Sequence, residues 1–236
     1  MTQEQEQEQE QGQGQGEEQG RGHGEKQERP DQEAWNERYS GSMRVWSGKP
    51  NIELVAQVAE LVPGRALDLG CGEGADAVWL AGRGWKVTAV DVSDVALERA
   101  AGHAAEAGVA DAISWQCRDL VADFPPGDFD LVSAQFLYPR DRDNAAREGI
   151  LRAAARAVGP GGVLLVESHS GFPAWEAERH GHAGMLFPSP QELLDALLLE
   201  PEEWEVLVCA EHERIQQGPD GSPTTRTDST LKLRRG

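Results

Sequence analysis

The residues of this chain best spaced for chemistry are Asp68-Leu69-Gly70-Cys71-Gly72-Glu73-Gly74. Apolar Ala66, Leu67 and Leu69 lead into three alternating glycines, and Ala77, Val78, Leu80 and Ala81 follow at helical spacing. That order reads as a buried strand, a tight turn and a helix. Glycines in such a turn carry no Cβ to hold a ligand away from the backbone. The first N–H groups of the helix, which have no partner within it, suit a carboxylate or a phosphate. Gly70-x-Gly72-x-x-Ala75 satisfies the pattern that holds a dinucleotide pyrophosphate, so the turn alone announces a nucleotide-type ligand without selecting one.

Asp91 closes the next apolar run, twenty-one residues after Gly70. A carboxylate there, at a strand's C-terminal edge, can accept from both hydroxyls of a ribose, and Val92 beside it offers an apolar surface to an adenine ring. With the acidic Asp68 two places before the first glycine, the segment resembles motif I of the class I, Rossmann-like S-adenosylmethionine (SAM)-dependent methyltransferases. The resemblance implies SAM as cofactor, with Asp68, Gly70, Cys71, Gly72, Asp91 and Val92 in its site. It also implies that Asp119, in Cys117-Arg118-Asp119-Leu120, accepts from the adenine amino group while the backbone N–H of Leu120 reaches the ring. Phe129 to Phe136 resembles the family's fourth-strand motif, which implies that Gln135 and Phe136 lie near the sulfonium. Tyr39 to Asn51 resembles the lid that precedes the core in small-molecule members of the thiopurine and tellurite-resistance type, with Trp46 or Arg44 closing over the methionine end. The resemblance covers about Trp35 to Arg235 and is strongest from Arg65 to Leu137.

A methyl group on a positive sulfur is already activated, so such an enzyme mainly aligns the acceptor. A base is needed only where the acceptor must lose a proton. Tyr138 and His169, which follow the fourth and fifth strands, are the candidates for that catalytic role. The fourth-strand segment lacks the Asn-Pro-Pro-Tyr or Asp-Pro-Pro-Tyr pattern with which methyltransferases of nucleic-acid bases grip an amine. The expected acceptor is a small molecule, with the accepting atom left open.

Positioning these residues takes alternating strands and helices, the βαβ pattern of a mainly parallel sheet. Strands are expected at 65–69, 86–91, 113–118, 129–134 and 163–167, and helices at 75–81, 94–107 and 144–157, with Ser93 as an N-cap. Gly159-Pro160-Gly161-Gly162 reads as the turn closing the last of them. Before the core, a helix over 51–61 would bury Ile52, Val55, Val58, Leu61 and Val62. Beyond it come a helix at 191–199 and extended runs at 204–216 and 229–235 around the turn 219–222, a hairpin pattern. In the family the chain resembles, the sixth and seventh strands form that hairpin, the seventh antiparallel at the sheet's end. The expected fold class is α/β: a Rossmann-like seven-stranded, mainly parallel sheet with a C-terminal antiparallel hairpin and helices on both faces.

Residues 1–34 hold ten Gln, ten Asp or Glu and six Gly, too little apolar surface to offset an ordering cost of roughly 1–2 kcal/mol per residue. The expected organisation is a disordered tail, 1–34, and one domain, 35–236, whose residues 35–62 form an N-terminal lid and helix. The chain's net charge is −19, and the acidity extends beyond the tail. Nucleic-acid binders draw affinity from Lys and Arg on phosphates, so the expected partners include neither nucleic acid nor, without a long apolar run, a membrane. Cys71, Cys117 and Cys209 lack C-x-x-C spacing, and no signal peptide is apparent, which points to the reduced cytoplasm. His180-x-His182 stands without a Cys or carboxylate cluster, and no metal is expected. Two other readings keep a place. One is a non-catalytic SAM-binding or interaction module. The other is an NAD-dependent oxidoreductase, although the Tyr-x-x-x-Lys pair of one dehydrogenase group is absent, with Arg142 four residues after Tyr138.

Overall fold

The structure, a computed structural model, describes residues 30–139, 144–171, 187–218 and 220–236. Seven strands form one sheet: β1 (Arg65–Leu69), β2 (Lys86–Asp91), β3 (Ile113–Cys117), β4 (Phe129–Gln135), β5 (Val158–His169), β6 (Trp204–Gln217) and β7 (Pro223–Arg235). Their order is β3-β2-β1-β4-β5-β7-β6. β1 to β5 pair in parallel, and β7 runs antiparallel to both of its neighbours. The order reverses beside β1, and in parallel sheets the crevice beyond the strand ends at such a point is where ligands bind.

Helices α1 (Pro30–Ser40) and α2 (Ile52–Val58) precede the sheet; α3 (Ala75–Gly82), α4 (Asp94–Glu106) and α5 (Ala145–Arg156) connect its strands, and α6 (Pro190–Ala196) precedes the hairpin. The strands read as apolar runs because both faces are covered. Leu67 and Leu69 pack with Ile150, Leu151 and Ala154 of α5 and Leu193 of α6. On the other face, Ala66 packs with Ala77 and Leu80 of α3 and with Leu54 and Val58 of α2. Ser93 caps α4 as its position predicts, its hydroxyl accepting from the Ala96 N–H. Ser189 and Glu192 close a reciprocal capping box at α6.

Several expectations are corrected. α1 begins at Pro30, inside the segment read as tail; residues 1–29 lie outside those described, as do Arg142 and the His180, His182 pair. α2 ends at Val58 and buries Leu54 and Val58, while Ile52 and Val62 are exposed. A helix of only two turns presents one narrow face, and the i, i+4 pair wins it. Gly159 to Gly162 belong to β5, where they make an irregularity in its pairing with β4 rather than a loop. β7 lies between β5 and β6 instead of at the sheet's end, because its residues Ser229, Thr230, Leu231 and Leu233 are buried while much of β6 is exposed. It also starts at Pro223, so Arg226 and Asp228 are strand residues.

Candidate functional site

The glycine turn emerges from β1 at the reversal point. Gly70 and Gly72 both have positive φ, 70° and 52°, which a side chain would strain. A Cβ on Gly70 would lie 2.8 Å from Leu137 Cδ1, and one on Gly72 would lie 2.9 Å from the Tyr39 hydroxyl and 3.3 Å from Trp46 Nε1. The turn is fastened to β2 from below. Gly72 N–H donates to Asp91 Oδ2 at 2.8 Å, and Ser93 N–H donates to Asp91 Oδ1 at 2.9 Å. Each oxygen of a carboxylate has two lone pairs, so these bonds leave Asp91 able to accept more.

Three acidic side chains converge beneath the turn. Asp68, Asp76 and Asp91 are all buried, and Asp68 Oδ2 has no hydrogen-bond partner among the described residues. Burial holds the Asp68 carboxyl well above the usual range, and the charges of Asp76 and Asp91 raise it further. Burial also raises Asp76 against bonds from Asn51 and raises Asp91 against bonds from Ser93 and Gly72. Burial, with Asp91 and Asp68, pushes the Cys71 thiol up as well, so it stays protonated. Buried carboxyls under a Cβ-free cradle, each held back from ionising, fit a ligand that brings an ammonium or sulfonium to compensate their charge.

Over the turn lies the segment that follows α1. Trp46 Nε1 donates to the Tyr39 hydroxyl at 2.9 Å, and Arg38 lies over the Trp46 ring. Trp46 thus reaches the turn, whereas Arg44 is exposed with its guanidinium against Gly48. Glu73 and Arg99, which sequence reasoning did not single out, hold this segment down. α1 itself crosses the ends of β2 and β3: Asn36 accepts from Ser93 Oγ and donates to Asp94, and Gln32 donates to Cys117 Sγ. Val92, Asp119 and Leu120 lie at those ends. Val92 and Asp119 are half-buried, Asp119 Oδ1 accepts from Val121 N–H at 3.0 Å, and the Leu120 side chain packs into the core.

A second cluster occupies the exits of β4 and β5. Gln135 is buried, with Nε2 donating to Ser133 Oγ at 3.0 Å. Phe136, at φ 52°, turns the chain so that its ring stacks on His169 at 4.4 Å, and Tyr138 stacks at 5.4 Å. Phe187 meets the His169 ring edge-on. His169 N–H donates to the Tyr138 hydroxyl. His169 Nδ1 lies 2.8 Å from Asp228 Oδ1, and Asp228, fully buried, also accepts from Arg214 Nε at 2.6 Å. Burial lowers the His169 pKa despite Asp228. Burial would raise Asp228, but the bonds from His169 and Arg214 outweigh it and hold the carboxyl low. With Nδ1–H given to Asp228, Nε2 is the basic nitrogen of the ring. Burial raises the Tyr138 pKa, against the pull of Arg147. Asp228 and Arg147 are the residues missed here; nothing local marks either, since their partners are tertiary.

Among the described residues no group of three or more His, Cys, Asp or Glu could hold a metal, and no helix is long and apolar enough to cross a membrane. Residues 66–162 match the family model described as a methyltransferase domain. The chain is 35% identical to a ubiquinone biosynthesis O-methyltransferase of Xanthomonas euvesicatoria over 52% of this chain and 50% of that protein. It is 32% identical to the 2-heptyl-1-hydroxyquinolin-4(1H)-one methyltransferase of Mycobacteroides abscessus over 54% and 58%. The chain therefore spans about half the length of the curated relatives it matches. Among solved structures, the N-methyltransferase NodS of Bradyrhizobium japonicum with bound S-adenosyl-L-homocysteine superposes with a TM-score of 0.63 at 18% identity, covering 87% of this chain and 98% of that one. That likeness is one of fold.

Proposed function

We propose that the chain is a class I, Rossmann-like SAM-dependent methyltransferase, and on that premise that it methylates an acidic hydroxyl on a small, flat molecule. The observation that carries this reading is His169, stacked with the rings of Phe136 and Tyr138 and backed by buried Asp228. When bound, SAM supplies an electrophilic methyl group. Gly70 and Gly72 would let it approach the backbone, Asp91 would accept from the ribose hydroxyls, Asp119 and the Leu120 N–H would receive the adenine, and the acidic floor would suit its ammonium. Gln135, Cys71, Val92 and Trp46 complete the walls. On the acceptor side, aromatic rings hold a planar molecule and His169 Nε2 takes the hydroxyl proton while Asp228 steadies the resulting imidazolium. Tyr138 is not the base in this reading: its raised pKa keeps the proton on the phenol, and its oxygen braces the His169 backbone. Two relatives whose names specify an O-methyltransferase or a hydroxyquinolone methyltransferase support oxygen as the accepting atom. The net charge of −19 supports a small molecule over nucleic acid, and we place the reaction in the reduced cytoplasm.

Calorimetry with S-adenosylhomocysteine, followed by methyl-label transfer to phenols, N-hydroxy heterocycles, amines and thiols, tests the reading. Hydroxyl acceptors are expected to turn over, and His169→Gln should lower kcat roughly 10²- to 10⁴-fold, the usual worth of a positioned base, with S-adenosylhomocysteine binding unchanged. Undiminished turnover in the variant removes His169 from the mechanism, and turnover of amines alone removes the hydroxyl.

A further inference from the structure

Glu73 stands inside the glycine turn, between Gly72 and Gly74, yet its carboxylate is only 4% exposed and points away from the turn's ligand-facing N–H groups, toward the segment above. Its Oε2 accepts from the backbone N–H groups of both Val45 and Trp46 at 3.1 Å, and Oε1 takes Arg99 Nη1 at 3.0 Å. Arg99, from α4, spends its other terminal nitrogen on the carbonyls of Tyr39 and Ser42, each at 2.7 Å. One ion pair therefore grips the 39–46 segment at both ends, from its N-terminal side by carbonyls and from its C-terminal side by amides. The two rings that this segment brings over Gly72 are Tyr39 and Trp46. Burial works against the charge on Glu73, but the bonds from Trp46, Arg99 and Val45 prevail and hold its pKa below the usual value.

We propose that Glu73 and Arg99 are positioning residues that latch the 39–46 flap over the glycine turn, so that closure of the flap sets how long SAM or its product stays bound. The proposal rests on the turn being the cofactor site, and goes beyond it in assigning residence time to two residues whose bonds go to the flap and to each other. The geometry accounts for the acidic residue at this point of the turn. A carboxylate grown from the turn itself makes the floor and the roof of the site parts of one hydrogen-bonded unit, and a shift in either is felt by the other. Charge-assisted bonds of this kind are about twice as strong as neutral ones, and with a buried carboxylate their loss leaves the acceptor unsatisfied.

Dissociation of S-adenosylhomocysteine from the full chain, followed by competition, is the primary measurement. Arg99→Ala and Glu73→Gln are each expected to speed dissociation roughly 10- to 100-fold with little change in the association rate. The double variant should be no faster than the worse single one, and Arg99→Lys should recover part of the loss. Amide hydrogen exchange supplies a readout without ligand: Val45 and Trp46 should lose protection in Glu73→Gln while the strands of the sheet keep theirs. If dissociation is unchanged in both single variants, or the two effects simply add, the latch is wrong. If the wild type does not bind S-adenosylhomocysteine at all, it is the cofactor reading that fails, and the exchange result still decides whether the pair fastens the flap.

Discussion

At the scale of single residues, the acidic floor of the glycine turn has a titration consequence. Asp68, Asp76 and Asp91 hold protons more tightly than free carboxyls because burial penalises their charge and, at Asp68, the other two add to it. An arriving ammonium favours the ionised forms, so ligand binding releases protons and strengthens as pH rises through the raised pKa values. S-adenosylhomocysteine titrations across a pH series in buffers of different ionisation enthalpy should therefore show net proton release where these carboxyls titrate, smaller in Asp68→Asn. Uptake, or a buffer-independent enthalpy, would rule this out. The glycines, Asp91 and Asp119 are legible in sequence because each sits at a fixed distance from a strand end. Glu73 is visible too, but its task is not, since Arg99 lies 26 residues away and the carbonyl that Arg99 holds at Tyr39 lies 60 residues from Arg99.

At the scale of elements, β1 to β4 and β6 are read from sequence to within a residue, since a short apolar run between glycines has few other places to go, whereas β5 and β7 begin five and six residues earlier than expected. What fails is whatever depends on neighbours. α2 buries Leu54 instead of Ile52, and the hairpin inserts with β7 inward. The exits of β4 and β5 are likewise joined by a residue with no local signature. Arg147, in the first turn of α5 and 2% exposed, donates from Nε to the Leu137 carbonyl and from Nη2 to Ser168, and lies over the Tyr138 ring. It braces the loop that carries Tyr138 against the strand that carries His169. Arg147→Met is expected to cost roughly 1–3 kcal/mol of stability and to lower kcat at least tenfold while S-adenosylhomocysteine affinity holds, because the turn is anchored elsewhere. Thermal unfolding, steady-state kinetics and calorimetry together check this. An unchanged kcat would show that the brace serves folding alone.

At the scale of the whole molecule, the buried Glu167 makes stability depend on pH. It joins β5 to both hairpin strands through His212 and Thr230. Burial pushes its pKa up to about 7 in spite of those bonds. The unfolded chain ionises this group near 4.5, so between the two values the folded state binds the proton more tightly, and stability falls as pH rises through that window. The loss is on the order of 3 kcal/mol. Glu167→Gln removes the titration, and its Tm should gain on the wild type as pH goes from 5 to 8; a constant difference would refute the assignment. The proposed function thus divides the molecule into a cofactor half, β1 to β3 with its flap, and an acceptor half, β4 to β7. They meet where Leu137 presses on Gly70.

The inward place of β7 also orders the assembly of those halves in time. His169 and its carboxylate partner are separated by 59 residues, and β5 has no neighbour on its outer edge until the hairpin has been synthesised and folded back. A ribosome that has released residue 171 has delivered every part of the glycine turn and its flap, but not the carboxylate that holds His169. Long-range pairings of this kind form late and leave an open strand edge in the interim. During biogenesis, then, the glycine turn and its flap are complete before His169 can meet Asp228, and the nascent chain passes through a stage that has the first without the second.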